Sequence, residues 1–422
     1  MKTLIFITSR FPYEPGEAFI DSEFPFLCSA FDRIILITKK ISGGRLKPVP
    51  GDVSVYRYDP SSSWKEYSLI PFLVLRNIND IIALVKNEMR FRRKAEKEIS
   101  AIQKLFLFKS IIKSIHLRDF IRDVIKNEKP EGELFLYSYW MNVAANAICM
   151  LTGLKAIRIS RAHRVDLYEE ETDHKYLPLV SNTFMNLNAV FFISEHGKRY
   201  FEERYRLIHR KNIVSRLGVI NNFPFIEALP GHDIFRIVSC STLIKVKRVH
   251  LLIQALALVK SPRKISWYHF GEGPLKQELM DLADKTLGNL NLIEYKFMGR
   301  VMNADIMKFY SQNEVDLLCN TSSSEGIPVS IMEAQSFGIP AIATDTGGTS
   351  EIIGKETGIL LPVNFEVGDL AQRIEYLLNL ETSEKIRMKK AIYDNWKRNF
   401  NAYSNFEDFT SRVASLTEPD LT

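Results

Sequence analysis

Cysteine is scarce in this chain. Cys28, Cys149, Cys240 and Cys319 are the only four in 422 residues, they lie far apart, and no C-x-x-C pair occurs. That pattern speaks against a disulfide framework and a cysteine-ligated zinc site, and leaves buried reduced thiols as the expectation. Long apolar runs are also missing. The most apolar internal stretch, SLIPFLVLRNINDIIALVK, is broken by Arg76 and Asp80, short of the roughly 18 to 20 residues that a bilayer-spanning helix needs. The first run, in MKTLIFITSRFPYEPG, meets Arg10 and two prolines before a secretory apolar region can form, so it reads as a first β-strand. The expected location is therefore the cytoplasm, extending to the inner face of the membrane. No D-x-D occurs, nor any His/Asp/Glu cluster with metal-ligand spacing. GTSEIIGKE has the wrong glycine spacing for a P-loop and lacks its Ser/Thr. Neither a metal nor a resident cofactor is expected.

What is present is ordinary globular composition, 46% hydrophobic and 25% charged, in a chain longer than one hydrophobic core usually serves. Two domains follow. The net charge of +6 is unevenly placed, because residues 86–129 hold about twice as many basic as acidic side chains. Phe108, Ile112, Ile115, Phe120 and Val124 recur there near helical spacing, which predicts helices with an apolar stripe and a basic face. Such a face is either solvated above a packed core or rests on anionic lipid headgroups. Nucleic acid is not an expected partner, since no reader motif accompanies the charge.

Short β-branched and aromatic runs alternate with helical patterns, the signature of βαβ units and parallel sheets. TLIFIT, RIILIT, DVSVYRY, LFLYSY, AIRIS, AVFFIS and NIVSRL are the strand candidates of the first half. RIVSCS, ISWYHF, LIEYKFMG, VDLLCN, AIAT and GILLP restart the pattern in the second. GVINNFPFIEALPGHD breaks the periodicity and marks a hinge near 217–233. The expected class is α/β, with two Rossmann-like domains facing each other across a cleft, 1–217 and 218–395. A carboxyl-terminal helix, 396–422, is expected to pack back on the first domain. Ligands of such sheets sit beyond the carboxyl ends of the strands.

The stretch SEGIPVSIMEAQSFGIPAIATDTGG, residues 324–348, carries Glu325 and Glu333 around a Gly-Ile-Pro. Proline opens helices and glycine ends them, so a helix is predicted after Pro328 and before Gly338, with Glu325 on the loop and Glu333 inside the helix. The helix start, Gly326-Ile327-Pro328-Val329, presents positive dipole and the unpaired N–H groups of its non-proline residues, which suits an anion such as a diphosphate. Taken alone, the pair is equally a charge favourable to the dipole plus a solvated helix glutamate.

This stretch resembles the E-x7-E signature of retaining glycosyltransferases of family 4, also known as glycosyl transferases group 1, which have the GT-B fold. The resemblance covers nearly the whole chain and is most specific over 236–360. SCSTLIKVKRVHLLIQAL resembles the strand, lysine and helix element whose basic pair binds the diphosphate. Lys247 falls on the family lysine; Thr242 stands where arginine is common, and Lys245 or Arg248 is the candidate replacement. HFGEGPLKQEL resembles the G-x-G-P turn, with Gly271 and Gly273 admitting the nucleotide closely. KFMGRVMNADIMKFY is similar to the segment that holds the nucleobase, around Arg300 and Val301, and DTGGTSEII to the glycine turn after the E-x7-E helix. In the first half, ISRAHRVDLYEE resembles the strand end with a histidine beside the donor sugar, here His163, with Arg164 where glycine is common. TSRFPYEPGEAF resembles the loop whose glycine closes over diphosphate and acceptor, here Gly16, and SRLGV puts Gly218 at the turn toward the hinge.

The resemblance implies transfer of a hexosyl group, with retention and without metal, from a UDP- or GDP-sugar to a hydroxyl of a lipid-linked or polysaccharide acceptor. It gives acceptor binding to the first domain and nucleotide-sugar binding to the second. Glu325 would bind the donor sugar, Glu333 the ribose and Lys247 the diphosphate. The same architecture serves sugar-nucleotide epimerases and phosphorylases, and a non-catalytic nucleotide-sugar-binding partner is a further alternative.

Overall fold

The structure is a computed structural model that describes residues 1–14, 17–42, 44–59, 71–95, 98–172, 174–227 and 233–417. The chain forms two compact units, Met1–Ser215 with Phe406–Thr422, and Arg216–Asn405.

The first unit is built on a seven-stranded parallel sheet: β1 (Lys2–Ile7), β2 (Arg33–Lys39), β3 (Val53–Tyr58), β4 (Glu133–Ser138), β5 (Ile157–Ala162), β6 (Ala189–Phe192) and β7 (Asn212–Val214), ordered β3-β2-β1-β4-β5-β6-β7. These strands are near-continuous apolar runs because both faces of a parallel sheet are covered. In β1, Leu4 and Phe6 join a core with Ile34, Leu36, Phe135 and Tyr137. Ile5 and Ile7 join the opposite core with Ile35, Ile37 and Leu136. Each such fully buried side chain contributes about 1.5–3 kcal/mol.

A helical hairpin, Ile78–Lys94 and Ala101–Glu128, forms a separate cluster from Ile81, Leu84, Leu107, Ile111 and Ile115. Ser100 starts its second helix by accepting from Gln103 N, and the Gln103 side chain returns the bond to Ser100 N. Arg118 ties the hairpin by bonding Asn77 at 2.7 Å and Asp80 at 3.2 Å. Of the expected apolar stripe, Ile112, Ile115 and Val124 are buried, Phe120 is half-buried and Phe108 is exposed.

The last residues complete this unit. Phe406, Phe409 and Val413 of the helix Ala402–Ala414 are fully buried. Phe409 lies 4.0 Å beneath the Arg161 guanidinium, which is itself fully buried and paired with Glu23 at 3.0 Å, the Tyr137 hydroxyl at 3.0 Å and the Ser215 carbonyl at 2.9 Å. Burial pushes the Glu23 carboxyl up, and Arg161 opposes that shift. The expected boundary at 395/396 falls inside the helix Thr382–Asn399; the chain passes between units at 405/406 instead. It makes its first passage at 215/216, just ahead of the stretch 217–233.

The second unit repeats the plan with β8 (Ile234–Cys240), β9 (Lys264–Phe270), β10 (Ile293–Gly299), β11 (Leu317–Asn320), β12 (Ala341–Thr344) and β13 (Gly358–Leu361), ordered β10-β9-β8-β11-β12-β13 and parallel throughout. Phe235, Ile237, Ile265, Trp267, Leu317 and Ile342 pack one face against the helices Val249–Leu258, Lys276–Leu287 and Val367–Leu378. Tyr393 stacks on Phe225 with ring centres 4.1 Å apart, and Trp396 and Phe400 are buried, so most of the terminal aromatics serve packing. Cys149 and Cys319 are buried free thiols and Cys28 and Cys240 half-buried ones. Among the described residues no helix is long and apolar enough to cross a membrane, and no group of three or more His, Cys, Asp or Glu side chains could hold a metal ion.

Candidate functional site

In the second unit the strand order reverses between β8 and β11, the position at which a parallel sheet opens a crevice at its carboxyl end. The loops that follow β8, β9, β10, β11 and β12 are joined there by backbone bonds. Leu243 N donates to Glu272 O at 3.0 Å, and Gly271 N to Gly299 O at 2.9 Å. Ser323 N donates to Val246 O at 2.8 Å, and Gly348 N to Gly326 O at 2.7 Å. Five strand ends thus form one continuous floor.

Lys247 and Glu325 stand on either side of the reversal. Lys247 Nζ donates to Glu325 Oε1 at 2.6 Å, and Asn320 Nδ2 donates to the same oxygen at 3.3 Å. Glu325 is buried and Lys247 partly so. The position of Glu325 depends on Gly347, whose φ is +57° and whose absent Cβ would fall 1.8 Å from the Glu325 carbonyl oxygen. Any side chain at 347 would drive the two loops apart.

Glu333 is the fifth residue of the helix Val329–Gln335, which begins after Pro328. Ile327 is buried at its approach. Glu333 Oε1 accepts from Asn303 Nδ2 at 2.5 Å, which brings the Arg300–Val301 segment after β10 to this carboxylate. Burial pushes the Glu333 carboxyl up to about 7, with the Asn303 bond pulling against the shift. It therefore titrates near neutrality.

Thr242 and Arg300 are exposed beside this floor. Gly271 and Gly273 are required by the protein itself: a Cβ at 271, where φ is +149°, would lie 1.8 Å from Ser241 O, and one at 273 would lie 2.4 Å from Leu243 O. Arg248, one candidate replacement for the missing arginine, is held by the loops around it. Its guanidinium is committed to the carbonyls of Thr321 at 2.8 Å and Val363 at 2.7 Å, and so staples the loop after β11. Lys245 is exposed in the same turn and is the remaining candidate for a second positive charge there.

In the first unit, the corresponding reversal lies between β1 and β4. His163 follows β5, buried among the rings of Trp140 at 4.5 Å, Tyr139 at 4.8 Å and Phe19 at 6.1 Å. Burial pushes its imidazole down to about 3, Arg161 adds to the shift, and a hydrogen bond with the Tyr139 backbone opposes it. His163 is neutral at pH 7, and its buried Nε2 has no partner. Asp166 fixes the turn: Oδ1 accepts from His163 N at 2.6 Å and Oδ2 from Met141 N at 2.5 Å. Burial pushes the Asp166 carboxyl up to about 7. Glu17 does the same for the first loop, accepting from Arg10 N and Phe11 N at 2.8 Å each and from the Trp140 indole. Gly16 lies outside the described residues. Arg164 pairs with Glu171.

Sequence reasoning did not single out Asp166, Glu17, Trp140, Asn303 or Asn320. Asp166 alone had a local signal, an acidic residue three positions beyond the start of a turn. The partners of the others are brought to them by the fold.

Two parallel sheets that share the order 3-2-1-4-5-6, the first extended by a seventh strand, each with its polar groups gathered where the order reverses, define the two-Rossmann GT-B fold. The Anabaena protein Alr3699/HepE, crystallised with UDP and glucose, shares this fold at a TM-score of 0.66 and 15% identity, over 99% of this chain and 100% of that one. Residues 222–395 match the family Glycosyl transferases group 1. Similar curated proteins are the putative colanic acid biosynthesis glycosyltransferase WcaL of Escherichia coli K12, 25% identical over 60% of this chain, and the amylovoran biosynthesis glycosyltransferase AmsK of Erwinia amylovora, 28% identical over 62%. The matches span 63% and 64% of those two relatives, just under two thirds of their length.

Proposed function

We propose that this chain is a retaining glycosyltransferase of family 4, transferring a hexosyl group from a UDP- or GDP-sugar to a hydroxyl of a lipid-linked or polysaccharide acceptor in cell-surface glycan biosynthesis. The observation that carries this reading is the Lys247–Glu325 pair at the reversal of the second sheet, with Glu333 beneath the neighbouring loops. An ammonium has three donors; one is used on Glu325, so Lys247 can hold the carboxylate and a diphosphate oxygen together. The donor diphosphate lies along Lys247 and the loop N–H groups, Glu325 accepts from sugar hydroxyls, and Glu333 accepts from the ribose. Arg300 and Val301 flank the base, and the backbone of Gly326, Ile327, Pro328 and Val329 lines the approach. Support comes from the family match, from relatives whose names refer to colanic acid and amylovoran, and from a neighbour in fold that holds UDP and glucose.

In the reaction, the bond between the anomeric carbon and the diphosphate oxygen breaks and a bond to the acceptor oxygen forms on the same face. The acceptor proton passes to the departing phosphate oxygen. Lys247 balances the charge that accumulates on the leaving group, a contribution that usually supplies about 10²–10³ in rate. In the first unit His163, neutral and with its buried Nε2 unpartnered, is the candidate for a hydrogen bond to a sugar hydroxyl. With the leaving group neutralised by lysine and backbone N–H, the transfer needs no divalent ion.

Calorimetry with UDP, GDP and ADP tests the reading. A charge-assisted hydrogen bond is worth about 1.5–3 kcal/mol, so Lys247→Met should weaken the preferred diphosphate about 10- to 150-fold. Glu325→Ala should lower turnover by about 10²-fold or more. Conversion of the nucleotide sugar without an acceptor would identify an epimerase, and dependence on inorganic phosphate a phosphorylase. If none of the three diphosphates binds the wild-type chain, the proposal is wrong.

A further inference from the structure

The helical hairpin of the first unit has an outer surface that its core does not explain. On the first helix, Asn77, Ile81, Leu84, Glu88 and Arg92 are buried. The helical turns just ahead of it carry Phe72, 65% exposed, and Leu75, 72% exposed, and the opposite side of the helix carries Ile78 and Ile82, followed by Lys86, Arg90, Arg93 and Lys94. The apolar side chains recur at helical spacing along one outward face and the cations take it over toward Lys94, so the segregation belongs to the helix and not to chance exposure. Asp80 is the one acidic side chain exposed in this stretch, and Arg118 holds it. The second helix repeats the pattern in its first half. Ile102, 64% exposed, Leu105, 55% exposed, and Phe108 alternate there with Lys104, Lys109 and Lys113, and no carboxylate occurs between Ala101 and Arg118. Farther along, Asp119 and Asp123 pair with Arg122 and Lys126, and the surface becomes mixed.

We propose that this hairpin face is a docking surface for an anionic lipid bilayer. Large exposed apolar side chains enter the boundary between headgroups and acyl chains, while the lysines and arginines around them meet lipid phosphates. Charge complementarity selects this occupant. An isologous contact with a second copy would set Lys86, Arg90, Arg93 and Lys94 close to the same residues of its partner, and among the described residues 72–113 the only exposed carboxylates are Glu98 and Asp80, the latter held by Arg118. The proposal does not depend on the transferase reading, since it rests on residues 72–113 of the first unit only.

The test is co-sedimentation of the full chain with vesicles of phosphatidylcholine alone and of phosphatidylcholine containing about 30% phosphatidylglycerol. The wild type is expected to bind the anionic vesicles at least about tenfold more tightly, and to be released at high salt. Two surface variants divide the contributions: Phe72→Ser with Leu75→Ser and Ile82→Ser removes the apolar insertion, and Lys86→Glu with Arg90→Glu and Arg93→Glu reverses the charge. Each should lose about tenfold or more in vesicle affinity. Circular dichroism and nucleoside diphosphate affinity should stay at wild-type values, which separates this question from the one about the second unit. Equal binding to both vesicle types, no binding at all, or undiminished binding by both variants would overturn the proposal. So would a dimer abolished by the serine variant in a chain that ignores vesicles.

Discussion

Replacing Glu333 by glutamine should stabilise the protein, and by an amount that grows with pH. The carboxyl is raised from 4.5 to about 7 by burial, so the native state binds its proton more tightly than the unfolded chain does. The sign follows directly: the stability this group contributes is complete below pH 4.5 and is lost as pH rises through the interval up to about 7. A separation from 4.5 to about 7 corresponds to about 3 kcal/mol of penalty once the group is ionised in the native state. Glutamine has nearly the same shape, can still accept from Asn303 and does not titrate. The gap in favour of Glu333→Gln should therefore widen by about 2 kcal/mol between pH 5.5 and pH 8.5. For a unit of this size that is about 4–8 °C in the melting temperature. Differential scanning calorimetry of wild type and variant at the two pH values measures it. The same variant should bind the diphosphate nucleoside less tightly, because an ionised acceptor for ribose hydroxyls has gone. If the two melting curves are displaced equally at both pH values, the carboxylate is not held in the environment described, and its reservation for a ligand loses its basis.

Gly347→Ala should destabilise the second unit by about 1–3 kcal/mol and abolish nucleotide binding, because the added carbon collides with the Glu325 carbonyl; a wild-type thermal profile would refute the contact. His163 should show no imidazole titration by nuclear magnetic resonance between pH 5 and pH 8. Its lowered folded value means that it contributes stability fully above pH 6.5, lost as pH falls toward about 3; a ring that protonates near 6.5 would contradict its burial. Asp166→Asn, which exchanges one of two acceptor oxygens for a donor, should cost the first unit about 1–3 kcal/mol, read by chemical denaturation, and a neutral effect would count against its place between Met141 and His163.

The strands were legible because both sheets are parallel and covered on both faces, which makes each strand a short apolar run with little ambiguity. LFLYSY and VDLLCN, for example, carry their period and their ends in composition alone. Lys247 and Glu325 were each legible as site candidates through a motif whose parts lie far apart in sequence, whereas their direct pairing was not. What was hidden depends on tertiary geometry. Arg248 and Lys245 flank one valine and one lysine in the same turn, yet the left-handed backbone at Arg248 sends its side chain to two carbonyls, and nothing local predicts that. The role of Asn303 emerges only when β10 is laid beside β9, and that of Glu17 only when β4 is laid beside β1. The end of the second unit was misplaced because the helix Thr382–Asn399 and the one after it share the same aromatic density, and only their packing partners tell them apart.

Phe409 under Arg161 gives synthesis of this chain an order of events. The first sheet leaves the ribosome complete at Ser215, but the side chains that roof its buried guanidinium are still to come, after all of Arg216–Asn405. At about 5–20 residues per second that intervening stretch, roughly 190 residues, takes about 10–40 s to make. During that time Arg161 and Glu23 lack the aromatic cover that Phe406 and Phe409 later supply, so closure of this pocket waits for the last helix.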